Sequence, residues 1–131
     1  MLQRNVFIEN GTAIWEKHTI YKGGGIVKVQ TIAAWDLEKK RKETKAILVD
    51  LREQEEYNSG HIPGAVWIPY EQLLKKPDIF DKSQELILYC DRGNASLMTG
   101  RILGEKGYNV YTVLGGYRAY KRMNEKDKTF G

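Results

Sequence analysis

The sequence has few residues that could cross-link a chain through disulfides or metals. Its 131 residues include one cysteine, Cys90, and two histidines, His18 and His61. A single cysteine excludes an intramolecular disulfide, which is consistent with a reducing compartment. These three residues show none of the spacings typical of metal ligands, so we expect no metal site. Stability must then come from a hydrophobic core, which a chain of this length can form.

Long apolar runs are also missing. Residues 1–18 lack the continuous apolar segment of a secretory signal, and no run approaches the ~20 apolar residues that cross a membrane. We therefore expect a cytoplasmic protein without a membrane partner. The net charge is only +4, and the dense basic patch at residues 39–42 falls near the end of a predicted helix, where cations are favourable. We accordingly expect no nucleic-acid partner.

The pattern along the chain predicts one α/β domain at residues 26–131, preceded by an N-terminal extension at residues 1–25 whose role is open. The glycines at 23–25 lack the Lys-Ser/Thr of a phosphate-binding loop, so a hairpin turn or flexible joint is the better interpretation. Apolar runs typical of strands alternate with helical patterns. The strands are predicted at 26–29, 45–50, 66–68, 85–89 and 109–113, and the helices at 31–41, 53–57, 70–76, 95–106 and 117–123. This alternation predicts an open parallel sheet flanked by helices on both faces.

Two helices carry specific predictions. Thr31 is predicted to cap the first helix. In the helix at 95–106, Gly100 and Gly104 are predicted to allow close packing on the sheet. The apolar face of that helix is predicted to contain Ala95, Met98, Thr99, Ile102 and Leu103.

The cysteine lies where a strand meets a helix, in the stretch LILYCDRGNASLM at residues 86–98. Ligands of open α/β sheets bind at the carboxyl ends of strands. Gly93 gives the loop the freedom to turn, and the amides of residues 91–96 are predicted to point inward around the sulfur. Unpaired amides at a helix start bind anions and favour a nucleophilic thiolate. The alternative is that Cys90 is a small buried hydrophobic residue.

Two segments resemble the signatures of single-domain rhodaneses. LILYCDRGNAS, followed by GYNVYTVLGGYRAY, is similar to the catalytic half, and ILVDLREQEEYNSGHIPGAVWIP is similar to the other signature of the family. They keep the order and spacing of the family, and the resemblance covers about residues 29–123. It implies a rhodanese-like fold and a sulfurtransferase that carries sulfur as a persulfide on Cys90.

The resemblance also implies the partners of the reaction. The donor would be thiosulfate or a similar small anionic sulfur compound, and the acceptor cyanide, an external thiol or an acceptor protein. No metal or organic cofactor would be required. The substrate-binding residues would be those of the loop, namely Asp91, Arg92, Gly93, Asn94, Ala95 and Ser96. Asp50, Arg52 and His61 would give structural support, the first two as an ion pair at a strand end and His61 by hydrogen bonding its own loop.

The chain departs from the family pattern in its loop. Many members have arginine five residues after the cysteine, where this chain has Ala95, and Asp91 adds a negative charge that Arg92 only balances. Both changes predict activity on thiosulfate with a poor KM.

Two other functions remain open. A phosphatase or arsenate reductase needs a Cys-x5-Arg loop, but Ser96 occupies the arginine position and Arg101 lies further into the helix. A rhodanese-like module that binds or regulates without efficient catalysis is the other alternative.

Overall fold

The computed structural model describes residues 6–9, 12–15, 19–22 and 25–130, and the side chains of residues 29–125. Its strands are β1 (Val6–Glu9), β2 (Thr12–Trp15), β3 (Thr19–Lys22), β4 (Gly25–Ile32), β5 (Ile47–Asp50), β6 (Val66–Trp67), β7 (Glu85–Tyr89) and β8 (Asn109–Val113). Its α-helices are α1 (Leu37–Thr44), α2 (Gln54–Ser59), α3 (Tyr70–Lys75), α4 (Asn94–Glu105) and α5 (Gly116–Phe130). Single 3-10 turns form at Ala34–Asp36 and Pro77–Ile79.

Six strands form the main sheet in the order β3-β4-β8-β7-β5-β6. The five strands from β4 to β6 are parallel, and β3 pairs antiparallel with β4 at the edge. β1 and β2 form a separate antiparallel pair. The predicted α/β class with a parallel sheet is confirmed. In the register of β5 and β7, Asp50 pairs with Tyr89, which brings two predicted signatures together at one edge of the sheet.

Two hydrophobic clusters cover the two faces of the sheet. On one face, buried Leu48, Ile87 and Val113 pack with side chains of α1, α2 and α5. On the other face, a second cluster joins the sheet to α3 and α4, and it contains Val49, Leu73, Leu86, Leu88, Leu103 and Val110. Adjacent strand residues point to opposite faces, so apolar runs such as β7 supply both clusters.

The predicted helix start at Thr31 is wrong. β4 continues through Ile32 because it pairs with β8 as far as Ile32 opposite Val113. The helical segment begins with the 3-10 turn at Ala34–Asp36, and α1 follows from Leu37. The basic patch does lie at the end of a helix, as predicted, since Arg41 and Lys42 are in the last turn of α1.

The predicted apolar face of α4 is wrong in part. Its buried residues are Ser96, Thr99, Gly100, Leu103 and Gly104, whereas Met98 is 43% exposed. The small residues face the sheet because the helix lies very close to it. A Cβ atom on Gly100 would lie 2.9 Å from the Thr112 methyl carbon and 3.0 Å from a Val29 methyl carbon. The close packing predicted for Gly100 is therefore confirmed, and it sets the rotation of the helix.

Other predictions concern the N-terminal part of the chain. His18, Gly23 and Gly24 lie outside the described residues, so the turn predicted there stays a prediction, as does the boundary between the extension and the domain. In the described part of the chain, no helix has the length and apolarity to cross a membrane.

Candidate active site

Cys90 follows directly after β7, and three residues separate it from the start of α4 at Asn94. The backbone N–H groups of Gly93 and Ser96 point at the cysteine Sγ, at 3.1 Å and 3.3 Å. The thiol lies 3.6 Å from Ser96 Oγ, and that hydroxyl donates to the Gly93 carbonyl at 3.1 Å. Two of the six predicted loop amides therefore contact the sulfur, and the side chain of Ser96 adds a third polar contact.

Other amides of this loop remain available. Within the described part of the chain, the N–H groups of Arg92, Asn94 and Ala95 have no hydrogen-bond acceptor. Asn94 and Ala95 belong to the first turn of α4, where backbone N–H groups have no partner within the helix. They give the loop a positive end suited to an anion.

Backbone amides at the start of α5 donate hydrogen bonds to the loop that follows Cys90. The Tyr117 amide donates to the Cys90 carbonyl at 2.8 Å, and the Arg118 amide donates to the Asp91 carbonyl at 3.1 Å. Gly116 makes this approach possible, since its φ is +61° and a Cβ atom there would collide with the Cys90 carbonyl oxygen. The backbone of α5 thus directly contacts the loop at residues 90–93, which joins β7 to α4 and is called here the proposed nucleophile loop.

A cavity of about 260 Å³ opens in front of Cys90. One side consists of loop residues Cys90, Asp91, Arg92, Asn94 and Ala95, and the other of Leu51, Arg52, Glu53, Glu56 and Tyr70. Cys90 is only 6% exposed, but it lines this cavity and faces polar loop groups. Its polar neighbours and the adjoining cavity distinguish it from a cysteine packed only among apolar side chains.

Asp50 and Arg52 form the buried ion pair that the sequence predicted. Arg52 Nε donates to both carboxylate oxygens at 3.0 Å and 3.2 Å, and Nη2 donates to Oδ2 at 2.8 Å. Nη2 also donates to the Gly60 carbonyl at 2.6 Å. Burial alone would lower the pKa of Arg52, but the hydrogen bonds and charge of Asp50 raise it. The guanidinium is therefore fixed in its charged form.

Tyr89, the residue before the cysteine, belongs to the same network. Its hydroxyl donates to Asp50 Oδ2 at 2.6 Å and accepts from the Ile62 amide at 3.1 Å. Burial, and then the hydrogen bond to Asp50, raise the pKa of Tyr89 above its ordinary value. The sequence patterns predict no role for Tyr89, although its position directly before Cys90 at the end of a strand indicates that it lies near the site.

Arg52 connects this network to the loop. Its guanidinium carbon lies 4.1 Å from the centre of the Tyr117 ring, in cation–π geometry. Tyr117 in turn donates its amide to the Cys90 carbonyl. The ion pair at the end of β5 thus contacts the ring of the residue whose amide binds the Cys90 backbone.

The charge of Asp91 is balanced differently from the prediction. Arg118 Nε lies 3.0 Å from Asp91 Oδ2, whereas Arg92 Nε lies at 3.9 Å. Arg118 is therefore the main partner of Asp91, and Arg92 is more solvent-exposed than either. No local pattern in the sequence predicts this pair, because the two residues are 27 positions apart.

His61 lies outside the cavity. Its Nδ1 is 2.9 Å from the Tyr57 carbonyl oxygen, and its ring stacks on the Tyr57 ring with centroids 3.8 Å apart. These contacts fit the predicted supporting role. Among the described residues, no group of three or more His, Cys, Asp or Glu side chains could hold a metal.

Comparison with known proteins identifies the family. A model of the rhodanese-like domain matches residues 33–123, which is more than half of the chain. The chain belongs to the rhodanese-like domain family. The resemblance of the two signatures is therefore confirmed, and the matched residues include β5, the nucleophile loop and the start of α5.

Individual relatives agree with this assignment. This rhodanese-like domain is 30% identical over 95 residues to the thiosulfate sulfurtransferase GlpE of Coxiella burnetii, a match that covers 72% of this chain and 86% of the relative. A rhodanese-like domain protein from Staphylococcus aureus has a crystal structure with a TM-score of 0.64 and 29% identity, covering 70% of this chain and 90% of that chain. Reduced CoADR-RHD from Bacillus anthracis has the same TM-score and identity, but the match covers only 16% of that longer chain.

Proposed function

We propose that this rhodanese-like domain is a sulfurtransferase that carries a sulfane sulfur as a persulfide on Cys90. The observation that supports it best is the pair of Gly93 and Ser96 amides directed at the Cys90 sulfur from 3.1 Å and 3.3 Å, in a residue that lines a small cavity. The name of the Coxiella burnetii relative, a thiosulfate sulfurtransferase, supports the same class of activity.

The first step is attack on a donor such as thiosulfate. The Cys90 thiolate forms a bond to the outer sulfur, the bond between the two sulfur atoms of thiosulfate breaks, and sulfite leaves with the electron pair of that bond. Amide donors stabilise the negative charge on the thiolate and then on the terminal sulfur, as in an oxyanion hole. In this proposal the N–H groups of Arg92, Asn94 and Ala95, which have no acceptor in the described part of the chain, bind the anionic donor.

The second step returns the thiol. An external nucleophile, cyanide or a thiol on a small molecule or acceptor protein, attacks the terminal sulfur and releases the Cys90 thiolate. The sequence contains no second cysteine to do this internally. A single free thiol also fits the cytoplasm, which we propose as its location. The proposed reaction requires no cofactor, nucleic acid or membrane.

Thiosulfate is expected to bind weakly. Ala95 lines the cavity where an arginine would attract a dianion, and Arg52 already binds Asp50 and the Gly60 carbonyl through Nε and Nη2. The same facts disfavour phosphoryl chemistry, since of the two arginines that line the cavity Arg52 is paired with Asp50 and Arg92 has a largely exposed side chain.

The test is a mass measurement on the whole protein after incubation with thiosulfate, with Cys90→Ser as the matched control. We expect the wild type to gain the mass of one sulfur atom, to lose it on addition of cyanide or dithiothreitol, and the serine variant to gain nothing. Failure of the wild type to gain sulfur from thiosulfate and from organic hydropersulfides would refute the proposal and favour a binding or regulatory module.

A further inference from the structure

Asp91 is the residue directly after Cys90, and it joins the proposed nucleophile loop to α5 in two ways. Asp91 Oδ2 accepts from Arg118 Nε at 3.0 Å, and the Asp91 carbonyl accepts from the Arg118 amide at 3.1 Å. A lone surface ion pair must order two long side chains for one contact. Here the backbone hydrogen bond already fixes where both side chains begin, so the carboxylate and the guanidinium are held together.

The same carboxylate also contacts a second guanidinium. Arg92 Nε lies 3.9 Å from Asp91 Oδ2, the oxygen that accepts from Arg118. One negative charge therefore offsets two positive charges beside the loop. All three side chains are partly exposed, and Arg92 is the most exposed of them, so the effect of these charges on a solute must depend on salt.

These charges lie beside the cavity that contains Cys90. Asp91 and Arg92 line that cavity, and Asp91 and Arg118 line an adjoining groove of about 600 Å³. Asp91 thus belongs to both the cavity and the groove. A change in its charge acts on a solute in either of them, next to the cysteine in sequence and in space.

Other charged side chains of the cavity and groove offset one another as well. Arg52 is paired with Asp50 at 2.8 Å and also interacts electrostatically with Glu56. In the groove, basic and acidic side chains occur together, and the lining includes Glu55, Glu56, Lys121, Arg122 and Glu125. Removal of the Asp91 charge would leave Arg118 and Arg92 without the carboxylate that they contact.

We propose that Asp91, through its ion pairs with Arg118 and Arg92, is a specificity-determining residue that disfavours dianionic donors. The inference rests on the proposed function and names its substrate class, which is donors with less negative charge than thiosulfate, such as a small organic hydropersulfide. A neutralised guanidinium attracts a dianion only weakly. For this reason the two arginines do not replace the arginine that is absent at Ala95.

With a hydropersulfide donor the transfer balances without another reactant. The Cys90 thiolate bonds to the terminal sulfur of R–S–SH, and the bond between the two sulfur atoms of the donor breaks. The thiolate R–S⁻ leaves with the electron pair of that bond, and the product on the protein is Cys90–S–SH.

The experiment changes the charges of the pair and keeps its backbone contacts. Asp91→Asn retains an oxygen that can accept from Arg118, and Arg118→Gln removes the positive partner. Single-turnover loading of Cys90 by thiosulfate is followed by mass at low salt. Each rate constant is divided by that for alkylation of Cys90 by iodoacetamide, an uncharged reagent, because a change in the reactivity of the thiolate affects both reactions.

We expect the corrected thiosulfate rate to rise by about fivefold or more in Asp91→Asn, with a smaller gain at high salt. The double variant Asp91→Asn/Arg118→Gln should lose most of this gain, because the released guanidinium is absent. Loading by the hydropersulfide of 2-mercaptoethanol, corrected in the same way, should change less than loading by thiosulfate. Arg118→Gln alone should lower the corrected thiosulfate rate, which keeps the test decisive if Asp91→Asn does not fold.

Glu43→Gln is the matched control. It removes a carboxylate from another ion pair, with Lys40 at 3.8 Å on α1, and Glu43 lines neither the cavity nor the groove. The corrected thiosulfate rate of this variant should equal that of the wild type. Urea unfolding of each variant checks that the fold is retained.

The possible failures are distinguishable. This inference is wrong, while sulfur transfer stands, if Asp91→Asn leaves the corrected thiosulfate rate unchanged or raises the hydropersulfide rate as much. It is also wrong if the full gain persists in the double variant, or if Glu43→Gln gives the same gain. If neither donor loads Cys90 in the wild type or in Asp91→Asn, the proposed function itself fails.

Discussion

Replacing Gly116 by alanine should both destabilise the domain and slow sulfur loading. Gly116 has φ of +61°, a conformation that costs an L-residue about 1–2 kcal/mol. The added Cβ would also collide with the Cys90 carbonyl oxygen and lie 2.7 Å from the Asp91 carbonyl oxygen. Such overpacking costs about 1–3 kcal/mol, so we expect a total loss of about 2–5 kcal/mol in urea unfolding.

The same substitution should affect chemistry, because relief of the collision moves the loop that carries the thiol. A displacement of about 1 Å can lower a rate by about 100-fold. Single-turnover sulfur loading, followed by mass under conditions where the variant is folded, measures this effect. Gly107→Ala is the matched control, since Gly107 also has a positive φ, of +98°, but a Cβ atom there would have only Lys82 side-chain atoms nearby, at 3.7 Å or more.

We expect Gly107→Ala to lose only about 1–2 kcal/mol and to load sulfur at the wild-type rate. Equal losses of stability and equal loading rates in the two variants would refute the argument that α5 supports the nucleophile loop by close backbone contact.

Three further predictions concern the buried polar groups. Arg52→Ala should lower the free energy of unfolding by about 3–5 kcal/mol, because the buried charge of Asp50 loses its partner. Arg52→Lys should recover only part of this loss. A loss below about 1 kcal/mol for Arg52→Ala in urea unfolding would contradict the stabilising role of the pair. Tyr89→Phe should make the stability of the domain less dependent on pH in the alkaline range. The pKa of Tyr89 is raised in the folded state, so its contribution to stability is present below about pH 10 and is lost as the pH rises further and the unfolded phenol ionises. Urea unfolding at several pH values should therefore show a steeper alkaline decline in the wild type than in the variant. Thr99→Val should stabilise the domain by about 1 kcal/mol in thermal or urea unfolding, because Thr99 Oγ1 is buried without a hydrogen-bond partner in the described part of the chain; a destabilised variant would show that the hydroxyl has a partner.

Strong local patterns predicted most of the fold. The strands at 85–89 and 109–113 have the predicted bounds, because each is an apolar run buried on both faces and bounded by polar or turn-forming residues. Thr31 was misassigned because a threonine hydroxyl suits a helix start and a strand equally well, and only the pairing of β4 with β8 decides between them. The face of α4 was misassigned because large apolar residues were expected to point at the sheet, where the small ones allow closer contact.

The site was predictable where it is local in sequence. The predicted ring of amides follows from the order of the local elements, in which a strand, the cysteine, a glycine-bearing turn and a helix start come in immediate succession. In the structure, two of the predicted backbone amides contact the sulfur. Tyr117 and Arg118 could not be found in this way, since their contacts with residues 90 and 91 depend on where α5 packs. The roles of the loop residues in binding substrate stay predictions.

The carbonyls of Cys90 and Asp91 accept hydrogen bonds from Tyr117 and Arg118, which follow them by 27 positions in the sequence. During synthesis Cys90 therefore leaves the ribosome before the segment that binds its backbone. A chain that stops short of residue 116 would carry the thiol without these hydrogen bonds, so the proposed sulfur loading should require the polypeptide through at least Arg118.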